Sequence, residues 1–446
     1  MWYSLTKTDQ KVKGRWNLTL SFLLLPSLGG AMFSFIHAAD IHLDSPMLRL
    51  EGYEGAPIEQ IRQATRRALD NLVNLAIAEK VDFVLISGDL YDGDWRDYNT
   101  GLYFLSRMAR LAEAGIAVHI IAGNHDAANR MTKSLRLPEG IHRFGSRTPG
   151  TFHIEEAGVA IHGQSFPSGA VSRDMSADYP APIKGYFNIG MLHTCATGSS
   201  EHDPYAPCSV EDLKMKGYDY WALGHIHKRQ ALCEDPPILF SGNLQGRNIR
   251  ETGPKGCMLV RVENGRPVYE FCPLDVFRWE QCEVDVTGEG TETGVFEKIM
   301  NRVSALASGS ELPMAVRVNI VGACPVHDRI GSDPERLAGV IRAETISLLR
   351  DRVWIEKVKL HTSPVSDEDS DGAGGPVEVL LNLIDEIGAD PDQLAEMGAC
   401  LTDLWDRLPH EIRTGEAAVS PNDPAALVRL LNEVRPMLVQ RLGISK

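Results

Sequence analysis

The sequence predicts an α/β protein in which two sheets pack face to face with helices outside, followed by a smaller α/β unit and a helical tail. Apolar strands and amphipathic helices alternate from residue 32 to about residue 273. After Gly163 the strands become shorter and the connections longer, which suits two packed sheets. The 446 residues are enough for two or three domains.

Apolar runs predict the strands of the first region. They are Phe33 to Ala38, Val81 to Ser87, Ala117 to Ala122, Asn188 to Leu192 and Tyr220 to Leu223. Apolar residues at helical spacing predict one helix around Ile58 to Leu75 and another around Leu102 to Leu111.

A second, smaller unit is predicted for residues 276–361. Its strands are Gln281 to Val286, Met314 to Ile320 and Val353 to Leu360, and its helices are Gly294 to Ala307 and Asp333 to Leu349. Residues 366–376 (SDEDSDGAGGP) form an acidic and then glycine-rich stretch, which predicts a linker.

Residues 377–446 predict three amphipathic helices, which begin near Pro376, Pro391 and Pro424. The apolar stripes include Leu380, Leu381 and Ile384 on the first helix, and Leu427, Leu430 and Leu431 on the third. Three such helices form a small core on their own. The stripes therefore either pack on one another as a bundle or bind a partner.

Residues 1–31 precede the first predicted strand. Basic residues followed by an apolar run from Leu18 to Leu25 are typical of a weak signal peptide, although this run is too short to span a bilayer. Met32 offers an alternative start. We expect residues 1–31 to be a disordered leader or a mis-assigned start.

Short runs of metal-ligating residues follow the predicted strands. They are Asp40 to His42, Gly88 to Asp92, Gly123 to Asp126, His193, and Gly224 to His227. The ends of strands in an α/β sheet form the edge at which sites are built. Carboxylate, amide and imidazole groups at one edge suit one or two divalent metal ions.

In this order, the runs D-x-H, G-D-x-x-D, G-N-H-D, a lone H and G-H-x-H resemble the signature of the calcineurin-like metallophosphoesterases. The stretches FIHAADIHLD, SGDLYD and LGHIH resemble the SbcD-like DNA repair exonuclease branch, and residues 40–46 and 202–209 are most similar to its YhaO type. The resemblance implies a four-layer α/β/β/α sandwich for residues 32–273. It also implies that residues 276–361 form a capping domain.

The resemblance also implies roles for individual residues. One metal would take Asp40, His42, Asp89 and His227, and the other would take Asp89, Asn124, His193 and His225. His125 would be the catalytic histidine that stabilises the phosphorus centre or protonates the leaving 3′ oxygen, and Asp92 would orient it. Archaeal and eukaryotic nucleases of this branch have histidine at the position of Asp92, so the resemblance does not determine the cleavage polarity of this chain.

The charge distribution bears on the substrate. A formal net charge of −15 argues against broad non-specific affinity for nucleic acid but is compatible with local basic clusters. Lys228, Arg247 and Arg250 follow the last metal run, and we expect them to contact substrate phosphate. The eight cysteines lack a C-x-x-C pair, which fits reduced thiols in the cytoplasm. The sequence has no G-x-x-x-x-G-K-[ST] motif, so we expect no ATP hydrolysis by this chain itself.

The resulting hypothesis is a DNA exonuclease or endonuclease subunit of DNA repair that hydrolyses phosphodiester bonds with two divalent ions, Mn²⁺ in particular. The resemblance implies an SMC-like coiled-coil ATPase of the SbcC or YhaN type as a partner, and a homodimer, with no membrane involvement. One alternative is a phosphomonoesterase or cyclic-nucleotide phosphodiesterase on the same site. The other is a weakly active scaffold for the partner ATPase.

Overall fold

The computed structural model describes residues 32–45, 55–92, 98–128, 136–196, 205–365, 376–408, 413 and 420–441. The predicted leader, residues 1–31, and residues 366–375 of the predicted linker lie outside the described residues. Contacts divide the chain into two compact units, which are Met1–Glu280 with Leu312–Ala315, and Gln281–Glu311 with Val316–Lys446.

The first unit contains two mixed sheets of six strands each. The strands of the first sheet are β1 (Phe33–Ala38), β2 (Phe83–Ser87), β3 (Ala117–Ile121), β4 (Ile141–Arg143), β11 (Gly256–Glu263) and β12 (Arg266–Pro273). Their order is β12-β11-β1-β2-β3-β4. Strands β1 to β4 are parallel, whereas β11 and β12 add antiparallel pairs.

The strands of the second sheet are β5 (Gly150–Ile154), β6 (Val159–Gly163), β7 (Phe187–His193), β8 (Tyr220–Gly224), β9 (Gln230–Glu234) and β10 (Pro237–Phe240). Their order is β5-β6-β7-β8-β10-β9, and β6, β7, β8 and β10 are parallel. All five predicted strands of this region are present, with ends shifted by at most two residues.

Large aromatic side chains fill the space between the two sheets. Phe35 of β1 stacks on Phe83 of β2 with ring centroids 5.0 Å apart. The edge of Phe35 also meets Tyr220 of β8 at 5.2 Å. Residues of β2 are buried throughout because this strand is covered on both faces, which explains its continuous apolar run.

The outer faces of the two sheets are covered differently. Helices α1 (Ile58–Glu79) and α2 (Tyr98–Glu113) pack on the first sheet through one buried side each. The short helix α3 (Asn124–Ala128) follows β3. On the second sheet, the short helix α4 (Val210–Met215) and irregular segments that carry Phe166, Tyr179 and Tyr218 form the cover. The predicted α/β sandwich with helices outside is confirmed, and its second outer layer is largely irregular in the described residues.

A three-stranded sheet of order β13-β14-β15 forms the smaller α/β unit. Its strands are β13 (Arg278–Asp285), β14 (Met314–Ala323) and β15 (Val353–Ser363), and its helices are α5 (Glu292–Ser308), α6 (His327–Gly331) and α7 (Pro334–Leu349). Thr291 and Asp333 cap α5 and α7 by accepting backbone N–H groups of the first turn. The predicted small α/β unit is therefore present.

Three helices form the tail, namely α8 (Pro376–Ala389), α9 (Pro391–Arg407) and α10 (Pro424–Arg441). They pack pairwise, and Ile384, Leu394 and Leu427 are buried among them. Thus Ile384 and Leu427 of the predicted stripes lie inside a bundle. Among the described helices, none combines the length and apolar character that a membrane crossing requires.

Candidate metal centre

The predicted ligands meet where the carboxyl ends of parallel strands in the two sheets come together. They are Asp40 and His42 after β1, Asp89 after β2, Asn124 after β3, His193 at the end of β7, and His225 and His227 after β8. The fold therefore brings together side chains that are up to 187 residues apart in sequence, from Asp40 to His227.

Hydrogen bonds across the sheets hold the two strand ends in place. His193 Nδ1 donates to the carbonyl oxygen of Ser87 at 3.0 Å. The Ser87 hydroxyl donates to the carbonyl of Ala222 at 2.9 Å. This hydrogen bond occupies the Nδ1 nitrogen of His193. The other ring nitrogen, Nε2, faces the remaining predicted ligands.

Two motif glycines allow this close approach. A Cβ at Gly224 would lie 1.9 Å from the Ser87 carbonyl oxygen, and a Cβ at Gly88 would lie 2.3 Å from His193 Nδ1. Gly88 also has a φ of +96°, which side chains rarely adopt. The glycines of the G-D and G-H runs are thus required by the packing of β2 against β7 and β8.

The backbone after the strands adopts a strained conformation at predicted ligands. Asp40, His42, Asp89 and His225 all have positive φ, with values of 51°, 45°, 51° and 101°. Backbone hydrogen bonds from Asp40 and His42 to the chain after β2 stabilise this path. Both carboxylate oxygens of Asp40 also lie 3.1 Å from the backbone nitrogen of His225. Such strain is concentrated at functional sites, where the surrounding structure enforces it.

Three groups of described side chains could each hold a metal ion; one is His42, Asp92 and His125, and the predicted ligands form the other two. Asp40, His42 and His227 form one group, and Asp89, His193 and His225 form the other, with ligand atoms within 4.8 Å of one another. Asn124 joins the second group, since its Oδ1 lies 3.0 Å from His193 Nε2. Asp89 Oδ2 lies 3.8 Å from His42 Nε2 and 3.4 Å from His193 Nε2, which puts it between the groups.

The spacing of these atoms fits metal coordination. His42 Nε2 and His227 Nε2 lie 3.2 Å apart. Two nitrogen ligands about 2.1 Å from one ion, at angles near 90–109°, would be separated by roughly 3.0–3.4 Å. Neutral imidazole, carboxylate and amide groups also match the ligand preferences of manganese, iron and zinc. The residues therefore fit a site for two divalent ions.

Burial and mutual charge set the protonation of the two groups. Burial lowers the pKa of His42 well below its usual value, and Arg247 lowers it further, so this imidazole is neutral. Burial disfavours the charged forms of both Asp89 and His193. The attraction between the Asp89 carboxylate and the His193 imidazolium outweighs this effect of burial. The pKa of Asp89 is held below its usual range, and that of His193 is raised to about 9.

His125 forms a hydrogen-bonded pair with Asp92 beside the two groups. Its Nδ1 lies 2.9 Å from Asp92 Oδ1, and 40% of the His125 side chain is exposed. The hydrogen bond to Asp92 is the main reason why the pKa of His125 is raised. Ser45 donates its hydroxyl hydrogen to Asp92 as well. The pair is thus accessible to substrate, whereas His42 and His193 are buried.

Of the residues predicted to contact substrate phosphate, Arg247 is the one whose contact with the site the structure shows. Arg247 Nη1 lies 3.4 Å from Asp92 Oδ2, but the guanidinium also contacts Glu251 at 2.9 Å. Lys228 and Arg250 are exposed. Arg247 therefore has protein carboxylates as partners in the structure.

Sequence reasoning gave no role to two carboxylates at the site. Asp126 is buried and accepts the backbone N–H groups of Leu90, Tyr91 and Gly123 at 2.9–3.1 Å, so it ties the loop after β2 to that after β3. Its position as the last letter of G-N-H-D was a signal for such a role. Glu251 is buried and contacts His227. Glu251 is not part of any of the sequence motifs, so no motif indicated its contact with His227.

Comparison with known proteins agrees with this geometry. Residues 33–229 match the calcineurin-like phosphoesterase family, and residues 279–363 match the middle domain of the metallophosphoesterase YhaO. The uncharacterized metallophosphoesterase YhaO of Bacillus subtilis is 39% identical over 296 residues, which cover 66% of this chain and 72% of that protein. The chain belongs to the calcineurin-like metallophosphoesterase family. The resemblance to this family and to YhaO is thereby confirmed.

Two DNA repair proteins are also similar, at lower identity. The DNA double-strand break repair protein Mre11 of Sulfurisphaera tokodaii is 26% identical over 259 residues, covering 54% of this chain and 62% of that protein. Mre11 of Methanopyrus kandleri is 25% identical over 302 residues, covering 60% and 61% respectively. The chain thus spans just under two thirds of each Mre11 relative. As a metallophosphoesterase, it is a hydrolase whose His and Asp groups are consistent with a site for two metal ions.

Proposed function

We propose that this metallophosphoesterase is a DNA nuclease subunit that hydrolyses phosphodiester bonds in DNA repair in the cytoplasm, with two Mn²⁺ ions. The observation that carries the proposal is the position of Asp89 between two ligand groups, beside the His125–Asp92 pair. The similarity to two archaeal proteins described as DNA double-strand break repair proteins supports DNA as the substrate.

In this proposal the ligands divide as the sequence predicted. Asp40, His42, Asp89 and His227 hold one ion, and Asp89, Asn124, His193 and His225 hold the other. When bound, two ions neutralise charge on the phosphate and activate a water. The chain itself orients the ligands, since Ser87 holds the His193 ring through its Nδ1.

His125 acts as the general acid. Asp92 accepts the hydrogen of His125 Nδ1 and raises its pKa, which favours the protonated imidazole and leaves the other nitrogen for the substrate. Its exposed side chain can donate a proton to the leaving 3′ oxygen, whereas the buried ligand histidines cannot reach it. Lys228, Arg250 and Arg247 are the proposed contacts to neighbouring phosphates, with Arg247 already anchored by Asp92.

The proposal also assigns the remaining regions. Residues 32–273 carry catalysis, residues 276–361 form a cap, and residues 366–376 link it to the tail of residues 377–446. We assign the exposed apolar residues of the tail bundle, Leu383, Leu404 and Met437, to docking of an SMC-like ATPase. A homodimer completes the proposed assembly.

A cleavage assay with the purified chain tests the proposal. We expect cleavage of linear single- or double-stranded DNA in Mn²⁺, weaker activity in Mg²⁺, and loss of cleavage in His125→Asn. Bis(p-nitrophenyl) phosphate, p-nitrophenyl phosphate and cyclic nucleotides serve as parallel substrates, because they separate phosphodiesterase from phosphomonoesterase activity.

Each alternative gives a different result in this assay. Turnover of p-nitrophenyl phosphate or cyclic nucleotides without DNA cleavage would replace the nuclease with a small-molecule phosphoesterase. Metal binding without turnover of any substrate, combined with stable binding to the ATPase, would favour the scaffold.

A further inference from the structure

Glu251 makes a full set of hydrogen bonds although only 8% of its surface is exposed. Its Oε1 accepts from His227 Nδ1 at 2.8 Å and from Arg247 Nη2 at 2.9 Å. Its Oε2 accepts from Asn243 Nδ2 and from the Arg247 backbone nitrogen, both at 2.8 Å. The carboxylate is thus held from several sides, and the one contact it makes towards the metal groups is to His227.

This contact determines which nitrogen of His227 carries the hydrogen. A carboxylate oxygen at 2.8 Å requires a donor, so Nδ1 of His227 holds the hydrogen. Arg247 Nη2 is also 3.2 Å from Nδ1 but is a donor itself, and it has Glu251 as its acceptor. The Nε2 lone pair of His227 is therefore left to face His42 Nε2 at 3.2 Å.

The second sheet contributes another histidine that is oriented in a different way. His193 Nδ1 donates to a backbone carbonyl, that of Ser87. His227 Nδ1 instead donates to a carboxylate that is paired with an arginine. A carboxylate increases the basicity of an imidazole ligand and fixes its ring orientation. His227 is also 23% exposed, and so it lacks the complete enclosure that holds His193.

We propose that Glu251 is a positioning residue that orients His227 and strengthens it as a metal ligand in the group of Asp40, His42 and His227. This inference rests on the proposed role of that group as a metal site, but it does not depend on the substrate. Arg247 and Asn243 act with it by holding the carboxylate at the ring.

The role of Glu251 is tested by titrating the metal-free full-length chain with Mn²⁺. Binding is measured by calorimetry and by electron paramagnetic resonance. The wild type should bind two ions. Glu251→Ala should weaken one of them by about 10–100-fold, the usual effect of losing such a partner, and should leave the other unchanged. Glu356→Ala is the matched control, because Glu356 is also a buried carboxylate, 5% exposed, and its partner is an arginine of the second unit, Arg317, at 2.6 Å. It should leave both affinities unchanged.

A double-mutant comparison separates positioning from general stability. If Glu251 acts through His227, Glu251→Ala should add no further loss of affinity to His227→Ala. A purely structural role would give losses that add, or would weaken both ions together. Either of these results, or wild-type affinity for both ions in Glu251→Ala, would overturn the inference.

Glu251→Gln covers the case in which the alanine variant fails to fold. Glutamine can still accept from His227 Nδ1 but lacks the charge, so we expect a loss of affinity between those of wild type and Glu251→Ala. Affinity equal to wild type in Glu251→Gln would contradict a role for the carboxylate charge. A chain that binds two ions but does not cleave DNA would refute the nuclease and leave these measurements valid.

Discussion

The Nδ1 nitrogen of His125 lies 2.9 Å from a carboxylate oxygen of Asp92, and this pair stands beside the metal groups without belonging to the predicted ligands. The hydrogen bond explains why the pKa of His125 is raised, although partial burial alone would lower it. In the proposed mechanism this arrangement would separate proton transfer from metal binding, so substitutions should change the two one at a time.

His125→Asn should remove catalysis while leaving both metals bound. A positioned acid contributes roughly 10²–10⁴-fold, so the rate should fall by about that factor. Metal content by elemental analysis and kcat on DNA should be measured on the same sample. A parallel loss of metal and rate would make His125 a ligand.

Asp92→Asn should shift the pH dependence of kcat. His125 must be protonated to act as an acid, and Asp92 raises its pKa, so activity persists to higher pH in the wild type. Removing the carboxylate charge lowers that pKa, and the alkaline limb of the profile should move to lower pH. An alkaline limb at the same pH in both proteins would contradict this role.

Asp89→Ala should lower the metal content at both sites and abolish cleavage, because this carboxylate lies between the groups. His42→Ala should mainly weaken one site. Metal content per chain distinguishes the two variants. Two bound ions with full turnover in Asp89→Ala would refute the bridging position.

Metal binding should release protons near neutral pH. Attraction to Asp89 outweighs burial and raises the pKa of His193 to about 9, so the metal-free chain holds a proton there below that pH. An incoming ion must displace it, and affinity should rise about tenfold per pH unit for each proton released. Calorimetry between pH 6 and 8, in buffers of different ionisation enthalpy, measures the number released. Affinity that does not change with pH would contradict this protonation state.

Gly224→Ala should prevent assembly of the metal groups, because the added methyl would overlap the Ser87 carbonyl oxygen at 1.9 Å. We expect a lower melting temperature and loss of metal. Gly145→Ala is the control, since a Cβ there meets nothing within 4 Å and its φ is not in the left-handed region. Equal behaviour of the two variants would show that the packing around Gly224 is looser than the structure indicates.

Much of this fold could be predicted because its strands are buried on both faces. Runs such as Phe33–Ala38 are continuous apolar segments, and the polar residues that follow them mark the strand ends. The positions of Asp40, His42 and Asp89 near one another follow from the parallel order of β1 and β2.

Other features depend on contacts that no local pattern encodes. Glu251 contacts His227, which lies 24 positions earlier in the chain. Arg247 was expected at substrate phosphate, but its guanidinium contacts Glu251 and Asp92. The packing of Ile384 and Leu427 inside the tail bundle likewise depends on how three helices meet. An amphipathic stripe has the same pattern whether it faces a neighbouring helix or a partner.

The left-handed backbone at Asp40, His42, Asp89 and His225 is set by the fold itself, before any ion binds. Backbone hydrogen bonds hold Asp40 and His42 to the chain after β2, and the Asp40 carboxylate holds the backbone of His225, so the conformational entropy of these residues is lost when the sandwich folds. The side chains that would hold the ions are therefore preorganised, and metal binding would not require the chain around them to become ordered.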